Sequence, residues 1–285
     1  MTRRCSERRF FLRPSPATNE LLLYLLALAV RRFDVRLHSF CFLSNHYHLV
    51  LTDPHALLPA FMQYFNSLVA RALNASIGHF ESLWAKDTSY SAVEPLEPGD
   101  IVAKTAYVLA NPVAAGLVRT GAEWPGLWTC PDQIGSTRII ARKPKVFFDP
   151  KGYLPDTVEL ELTTPPGFPS AAEFRERVAA EVAALDESHR REIDSSGRRF
   201  MGVRRVLAQN PHSRPPPGER RFKLNPRIAA RDKWKRLEGL SRLKGFLDDY
   251  RKAWRARRAG ALDVLFPAGT YLLRVLHGVQ CAGAA

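Results

Sequence analysis

The sequence predicts an α+β fold: an antiparallel sheet with helices packed on it, followed by a mostly helical, basic C-terminal region. Three observations carry this reading. Strand and helix patterns alternate over residues 1–130 in the order strand, helix, strand, strand, helix, strand, helix, which suits a layer of helices on a sheet. Two of those strands flank a short Ser44-Asn45 turn, the pattern of an antiparallel hairpin. The charge then changes: Arg190 to Arg258 hold 22 Lys/Arg against 7 Asp/Glu, whereas the rest of the chain holds 20 against 21.

Each element has its own signal. Arg8 to Leu12 reads as the first strand. Ala17 to Arg32 is a helix opened by a Pro16-Ala17-Thr18-Asn19 turn. Val35 to Phe42 is a strand, and the next runs from His46 to Thr52. Pro54 opens a further helix, with Phe61, Phe65, Leu68 and Ala72 at helical spacing. Leu83 to Ser91 is expected to be a strand, and Asp100 to Asn111 a helix ended by Pro112. Turn-forming residues then become dense, and 131–169 is expected to be a linker closed by Pro165-Pro166-Gly167-Phe168-Pro169. The remainder, 170–285, holds a helix over Ala171 to Ile193, a polyproline-like break at Arg214 to Gly218, one or two basic helices over Ile228 to Arg258, and an apolar helix around Leu262 to Val279.

Composition narrows the function. At 285 residues and 46% hydrophobic content, the chain can bury a sizeable core. Cys5, Cys41, Cys130 and Cys281 are scattered without metal-ligand spacing, as reduced thiols of a cytosolic protein would be. The longest apolar run, Leu21 to Val30, is too short to span a bilayer, and Glu20 before it spoils a signal peptide, so no membrane partner is expected. The net charge of +14 resides in the C-terminal region, and such a concentration attracts polyanions, nucleic acid first among them.

Two segments carry chemistry. In a strand, side chains alternate between faces, so His46 and His48 point the same way, and two adjacent imidazoles can grip one divalent metal. On the Asp100–Asn111 helix, Ile101, Thr105, Val108 and Leu109 fall on one side, while Asp100, Lys104, Tyr107 and Asn111 fall on the other. Tyr107 and Asn111, one turn apart, can reach a common point. Taken singly, each segment also has a purely structural reading: a histidine pair packed in an apolar strand, and an amphipathic tyrosine before a helix-ending Asn-Pro.

Together they resemble a known family. His46-Tyr47-His48 is similar to the HUH motif, two histidines flanking a hydrophobic residue, here a tyrosine. Tyr107-Val108-Leu109-Ala110-Asn111-Pro112, with Ala114-Ala115-Gly116 behind it, resembles the tyrosine-helix motif of REP-associated tyrosine transposases, relatives of the single-tyrosine HUH transposases. Thr2-Arg3-Arg4 and Arg8 to Leu12 resemble the family's opening strand, and Leu83-Trp84 the segment before its tyrosine helix. Trp124 to Thr129 matches the family's aromatic-serine segment only loosely. The resemblance covers 1–130 and implies an HUH, ferredoxin-like catalytic domain. It implies that Tyr107 is the nucleophile, that His46, His48 and Asn111 hold Mg²⁺ or Mn²⁺, and that single-stranded or hairpin DNA is cleaved through a 5′-phosphotyrosine link. A phenol, with a reference pKa of about 10, needs activation for this, by the metal and by Lys104. Arg3, Arg4, Arg8 and Arg9, with Lys104, are the expected DNA contacts, and Trp84 and Tyr90 candidate base-stacking rings. Such a protein would be cytoplasmic and nucleoid-associated, and the reading admits a homodimer. The alternative is a domesticated DNA-binding protein without catalysis. A phosphodiesterase for small nucleotides would carry two histidine motifs, and an RNA-binding scaffold would need none.

Overall fold

The computed structural model describes residues 1–86, 89–149, 151–216 and 226–284, and shows a mixed α+β architecture. The first strand, β1, is Thr2–Arg4. Helix α1 is Pro16–Phe33; Ser15 caps it by accepting from the Thr18 N–H at 3.0 Å, and Pro16 presets the first turn. Strands β2 (Arg36–Leu43) and β3 (His46–Thr52) form the hairpin expected around the Ser44-Asn45 turn, and β1 pairs with β3, giving the order β1-β3-β2. Single bridges extend both edges: Trp84 and Ser91 beside β1, and Trp128 beside β2.

The sheet buries both faces. Phe40, Phe42, Tyr47 and Leu49 turn toward α1 and toward α2 (Leu58–Ile77), which supplies Phe61, Phe65 and Val69. Cys41, Leu43 and Val50, on the histidine side, meet a second core. To that core α3 (Pro98–Leu109) contributes Val102, Ala106, Val108 and Leu109; β4 (Glu94–Pro95) precedes the helix and the single turn α4 (Asn111–Ala114) follows it. Trp124 and Trp128 close this core at the sheet edge.

Several expectations shift. The opening strand lies at Thr2–Arg4 rather than Arg8 to Leu12, because Glu7 and Arg8 take positive φ (50° and 59°) and turn the chain; Phe11 and Leu12 are apolar because they are core. Helix α2 begins at Leu58 because the Asp53 carboxylate accepts from the N–H groups of Leu57 (3.0 Å) and Leu58 (2.6 Å). Leu83 to Ser91 pairs with β1 only at its two ends, and Asp87 and Thr88 lie outside the described residues. The segment 131–169 is no linker. Strands β5 (Arg138–Arg142) and β6 (Thr157–Glu161) form a hairpin that buries Ala141, Val158, Leu160 and Leu162 in the main core beside α1. Its residues alternate, and the buried set faces α1.

Helix α5 (Ala171–Ser195), capped by Ser170, packs Phe174, Val178 and Val182 against Val102, Val108 and Leu109 of α3. The first helix of the expected C-terminal region therefore completes the core of the tyrosine helix. The short α6 (Val203–Leu207) adds Val206 to it. Strand β7 (Ile228–Ala229) pairs parallel with β4, and the basic helix α7 (Lys233–Arg258) follows. The expected apolar helix at the C-terminal end shortens to α8 (Leu272–His277); Leu262, Leu265, Leu272 and Leu276 stay exposed, while Phe266 and Val279 cluster with Ala253. Of the polyproline-like break, Pro217 and Gly218 lie outside the described residues. Among the described residues, no helix is long and apolar enough to cross a membrane, and all four cysteines are free thiols.

Candidate active site

The β1–β3 register sets Thr2 opposite His48 and Arg4 opposite His46. Directly opposed residues share a face, so these four side chains form one patch. The two imidazoles stand 5.0 Å apart between centroids, at 80° to each other. Each is held from behind by its Nδ1. His46 Nδ1 lies 2.7 Å from Asn45 Oδ1, and Asn45 Nδ2 donates to the Arg8 carbonyl at 3.2 Å, which settles which amide atom faces the ring. His46 Nδ1 therefore carries a proton and donates it to Asn45. His48 Nδ1 lies 2.8 Å from Thr2 Oγ1. His48 is buried, and its Nε2 meets no hydrogen-bond partner among the described residues. Burial, then the neighbouring His46, holds its pKa well below the usual 6.5, so the ring is neutral near pH 7.

Helix α3 packs across this face. Val102, Ala106, Val108 and Leu109 are its buried stripe. Lys104 and Tyr107 lie on its open side, as the helical spacing required; Tyr107 remains 50% exposed. The phenol ring meets His48 edge-on, with centroids 5.8 Å apart and planes at 90°. Lys104 Nζ sits 5.7 Å from the centre of the Tyr107 ring.

Two residues expected on that open side are buried instead. Asp100 Oδ1 accepts from the Arg231 N–H at 3.0 Å, because the segment between β7 and α7 covers the first turn of α3. Asn111 folds back and donates from Nδ2 to the Tyr107 carbonyl at 2.6 Å, one turn earlier on the same helix. A helical wheel assigns these positions to solvent; a segment distant in sequence covers Asp100, and Asn111 turns back onto its own helix.

The arginines separate. Arg4 is exposed beside His46. Arg3 points to the opposite face and lies over the Trp84 ring at 5.8 Å. Arg8 contributes its carbonyl to Asn45, and Arg9 is tied to Glu7 (2.9 Å) and to the His212 carbonyl (3.0 Å). Trp84 is buried, with its indole N–H on the Asn66 carbonyl at 2.9 Å, so it is a packing residue and not an open stacking ring; Tyr90 is half-buried.

A cleft of about 840 Å³ opens beside His48, Lys104 and Tyr107. Its far wall comes from the C-terminal region: Arg227, Ile228, Arg242, Leu243 and Phe246. None of these was a candidate from sequence, because the two-residue β4–β7 pairing that brings them there leaves no periodic signal. Thr2 was missed as well; the β1 register alone reveals it.

Among the described residues, no three His, Cys, Asp or Glu side chains gather as a metal site. The pair His46 and His48 nevertheless fits a divalent cation: both are anchored through Nδ1, and the buried Nε2 of His48 is an unsatisfied nitrogen. No family model, curated protein or solved structure matches the chain.

Proposed function

We propose that this protein is a metal-dependent DNA strand transferase and nuclease of the single-tyrosine HUH transposase type, with Tyr107 as nucleophile. One observation carries the reading: the exposed phenol of Tyr107 stands edge-on to an anchored, neutral His48 beside His46, at the mouth of a cleft. The HUH, ferredoxin-like classification of the sheet belongs to the same proposal, as does REP-associated tyrosine transposase membership.

His46 and His48 would hold Mg²⁺ or Mn²⁺ through Nε2, with Asn111 Oδ1 as the remaining candidate ligand, since its Nδ2 is engaged. Such a cation, when bound, supplies Lewis-acid polarisation of a phosphate oxygen. The rest is the work of the chain. Tyr107 Oη attacks phosphorus in line; a P–O bond forms to tyrosine, the P–O3′ bond breaks, and the departing 3′ oxygen takes up a proton. Lys104, with Nζ 5.7 Å from the centre of the Tyr107 ring, adds a positive charge on the side where the phosphate must lie. Arg4 stands where it can take a neighbouring phosphate. Because the ester energy is kept in the 5′-phosphotyrosine, a 3′-OH can reverse the step, and strand transfer needs no nucleotide triphosphate.

Incubating the purified protein with hairpin-bearing single-stranded DNA and Mn²⁺ tests this. A covalent protein–DNA species is expected, mapping to the Tyr107 peptide and absent in Tyr107→Phe. DNA binding without any adduct would assign the chain to non-catalytic DNA-binding proteins. An adduct on Tyr64 or Tyr90 would overturn the choice of nucleophile.

A further inference from the structure

We propose that the cleft beside Tyr107 is a nucleobase pocket, built jointly by the histidine strand and helix α7, with Phe246 as its stacking surface. The inference rests on the nucleic-acid reading above and names the part of the substrate the cleft takes: one unpaired nucleotide next to the attacked phosphate.

The cleft is the wrong shape and chemistry for a phosphate and a cation alone. Its volume is about 840 Å³, and Val50, Ile101, Val108, Ile228, Leu243 and Phe246 give it mostly apolar walls. Charged groups have no use for such a surface, whereas the π face of a base does. Phe246 keeps 38% of its surface exposed on this wall, while Phe42, Phe61, Phe65 and Phe174 are fully buried. The cations around the cleft suit the rest of a nucleotide: Lys104 on one side, Arg227 and Arg242 on the other. Two acids also line it. Asp53 is spent on the N–H groups of Leu57 and Leu58. Glu94 pairs with Arg242 at 3.1 Å, but both partners are more than half exposed, and an ion pair in water yields readily to a phosphate.

The position of α7 is set by several ties. Glu94 and Ile228 pair through β4 and β7, Asp100 accepts from Arg231 N–H, and Gly239 lets Leu96 and Ile228 come close, where a Cβ would meet Leu96 at 2.8 Å. The pocket wall is thus anchored to the tyrosine helix itself. A stacked duplex keeps its bases from such a site; an unpaired tail presents them. The pocket therefore gives the enzyme a means to prefer single strands at the cleavage point.

The test uses the full-length chain carrying Tyr107→Phe, so that binding is read without covalent capture. Two hairpin oligonucleotides are compared by fluorescence anisotropy, one with an unpaired deoxynucleotide tail and one with the same tail made abasic, equal in charge. The expected result is about tenfold tighter binding of the base-bearing tail. Phe246→Ala and Phe246→Leu should both erase the preference, the latter preserving apolar packing, and Phe246→Trp should keep it. Arg227→Gln should weaken both tails alike. Equal affinity for the two tails, or a preference that survives Phe246→Leu, overturns the pocket. The wild-type adduct assay, run in parallel, separates the two readings. An adduct with equal tail affinities leaves the transferase standing without the pocket; a Phe246-dependent base preference without an adduct leaves the pocket standing without the chemistry.

Discussion

At the residue scale, the histidine pair is defined as much by what stands behind it as by the imidazoles. Thr2 and Asn45 occupy the Nδ1 positions, so the Nε2 atoms are the ones presented forward. Replacing such a backing group typically weakens a metal 10–100-fold. Thr2→Val should therefore lower Mn²⁺ affinity by about tenfold or more in a calorimetric titration, without loss of the folded state; unchanged affinity would show that His48 is not a ligand. A third histidine shows the opposite use of the same side chain. His38 is buried, with Nδ1 on the Thr163 carbonyl at 2.8 Å and Nε2 on Thr52 Oγ1 at 2.9 Å. Burial lowers its pKa from 6.5 to about 4. In the unfolded chain it takes up a proton below 6.5, in the fold only below about 4, so its contribution is present above pH 6.5 and is lost as pH falls toward 4. That difference is worth about 3 kcal/mol. Asp186 has the opposite sign: burial raises its pKa from 3.8 to about 6, so the fold gains proton affinity as pH falls. Comparing His38→Gln with wild type cancels Asp186. The variant should be less stable at pH 7 but should lose less stability between pH 6.5 and 4 in urea melts; parallel pH profiles would refute the assignment.

At the element scale, α3 is aimed by tryptophans. Trp128 donates its indole N–H to the Leu109 carbonyl at 2.8 Å, at the C-terminal end of the tyrosine helix, and Trp124 donates to the Phe42 carbonyl at 3.0 Å on β2. The segment that only loosely matches the family pattern is thus the clasp between helix and sheet. Gly121 lies against the Trp128 ring so closely that a Cβ would sit 2.5 Å from it, and a ring held by its own hydrogen bond cannot step aside cheaply. Gly121→Ala should destabilise the fold by about 1–3 kcal/mol, the range for overpacking a core, read as a lower denaturation midpoint. A midpoint equal to wild type would mean that the indole relaxes freely.

At the scale of the whole molecule, the boundary between the N-terminal core and the basic part is not where composition changes. Phe174, Val178 and Val182 of α5 are core partners of α3, and the β5–β6 hairpin is core to α1. A chain cut after residue 170 should therefore expose the apolar face of the tyrosine helix and fail to fold. A chain cut after Pro216 keeps α5 and α6 and should fold, while losing the cations of α7. Its DNA affinity should fall less steeply with salt, since phosphate neutralisation sets that slope. Cooperative melting of the 1–170 chain would contradict this, as would an unchanged salt slope in the 1–216 chain.

The local patterns alone determined the β2–β3 hairpin, the shared face of His46 and His48, the helical run through Tyr107, and its exposure beside Lys104. These depend on strand and helix periods and on a two-residue turn, all local in sequence. Only the tertiary structure decided which face of the tyrosine helix was open along its whole length, because Asp100 is covered by Arg231 and Asn111 turns back onto its own helix. It also decided which arginine stands with the histidines, since a register of three residues puts Arg4 there and Arg3 over Trp84. The cleft needed tertiary structure most of all. Its far wall lies more than a hundred residues beyond Tyr107 and is held by a two-residue strand, and contacts so distant leave no trace in any local period of the chain.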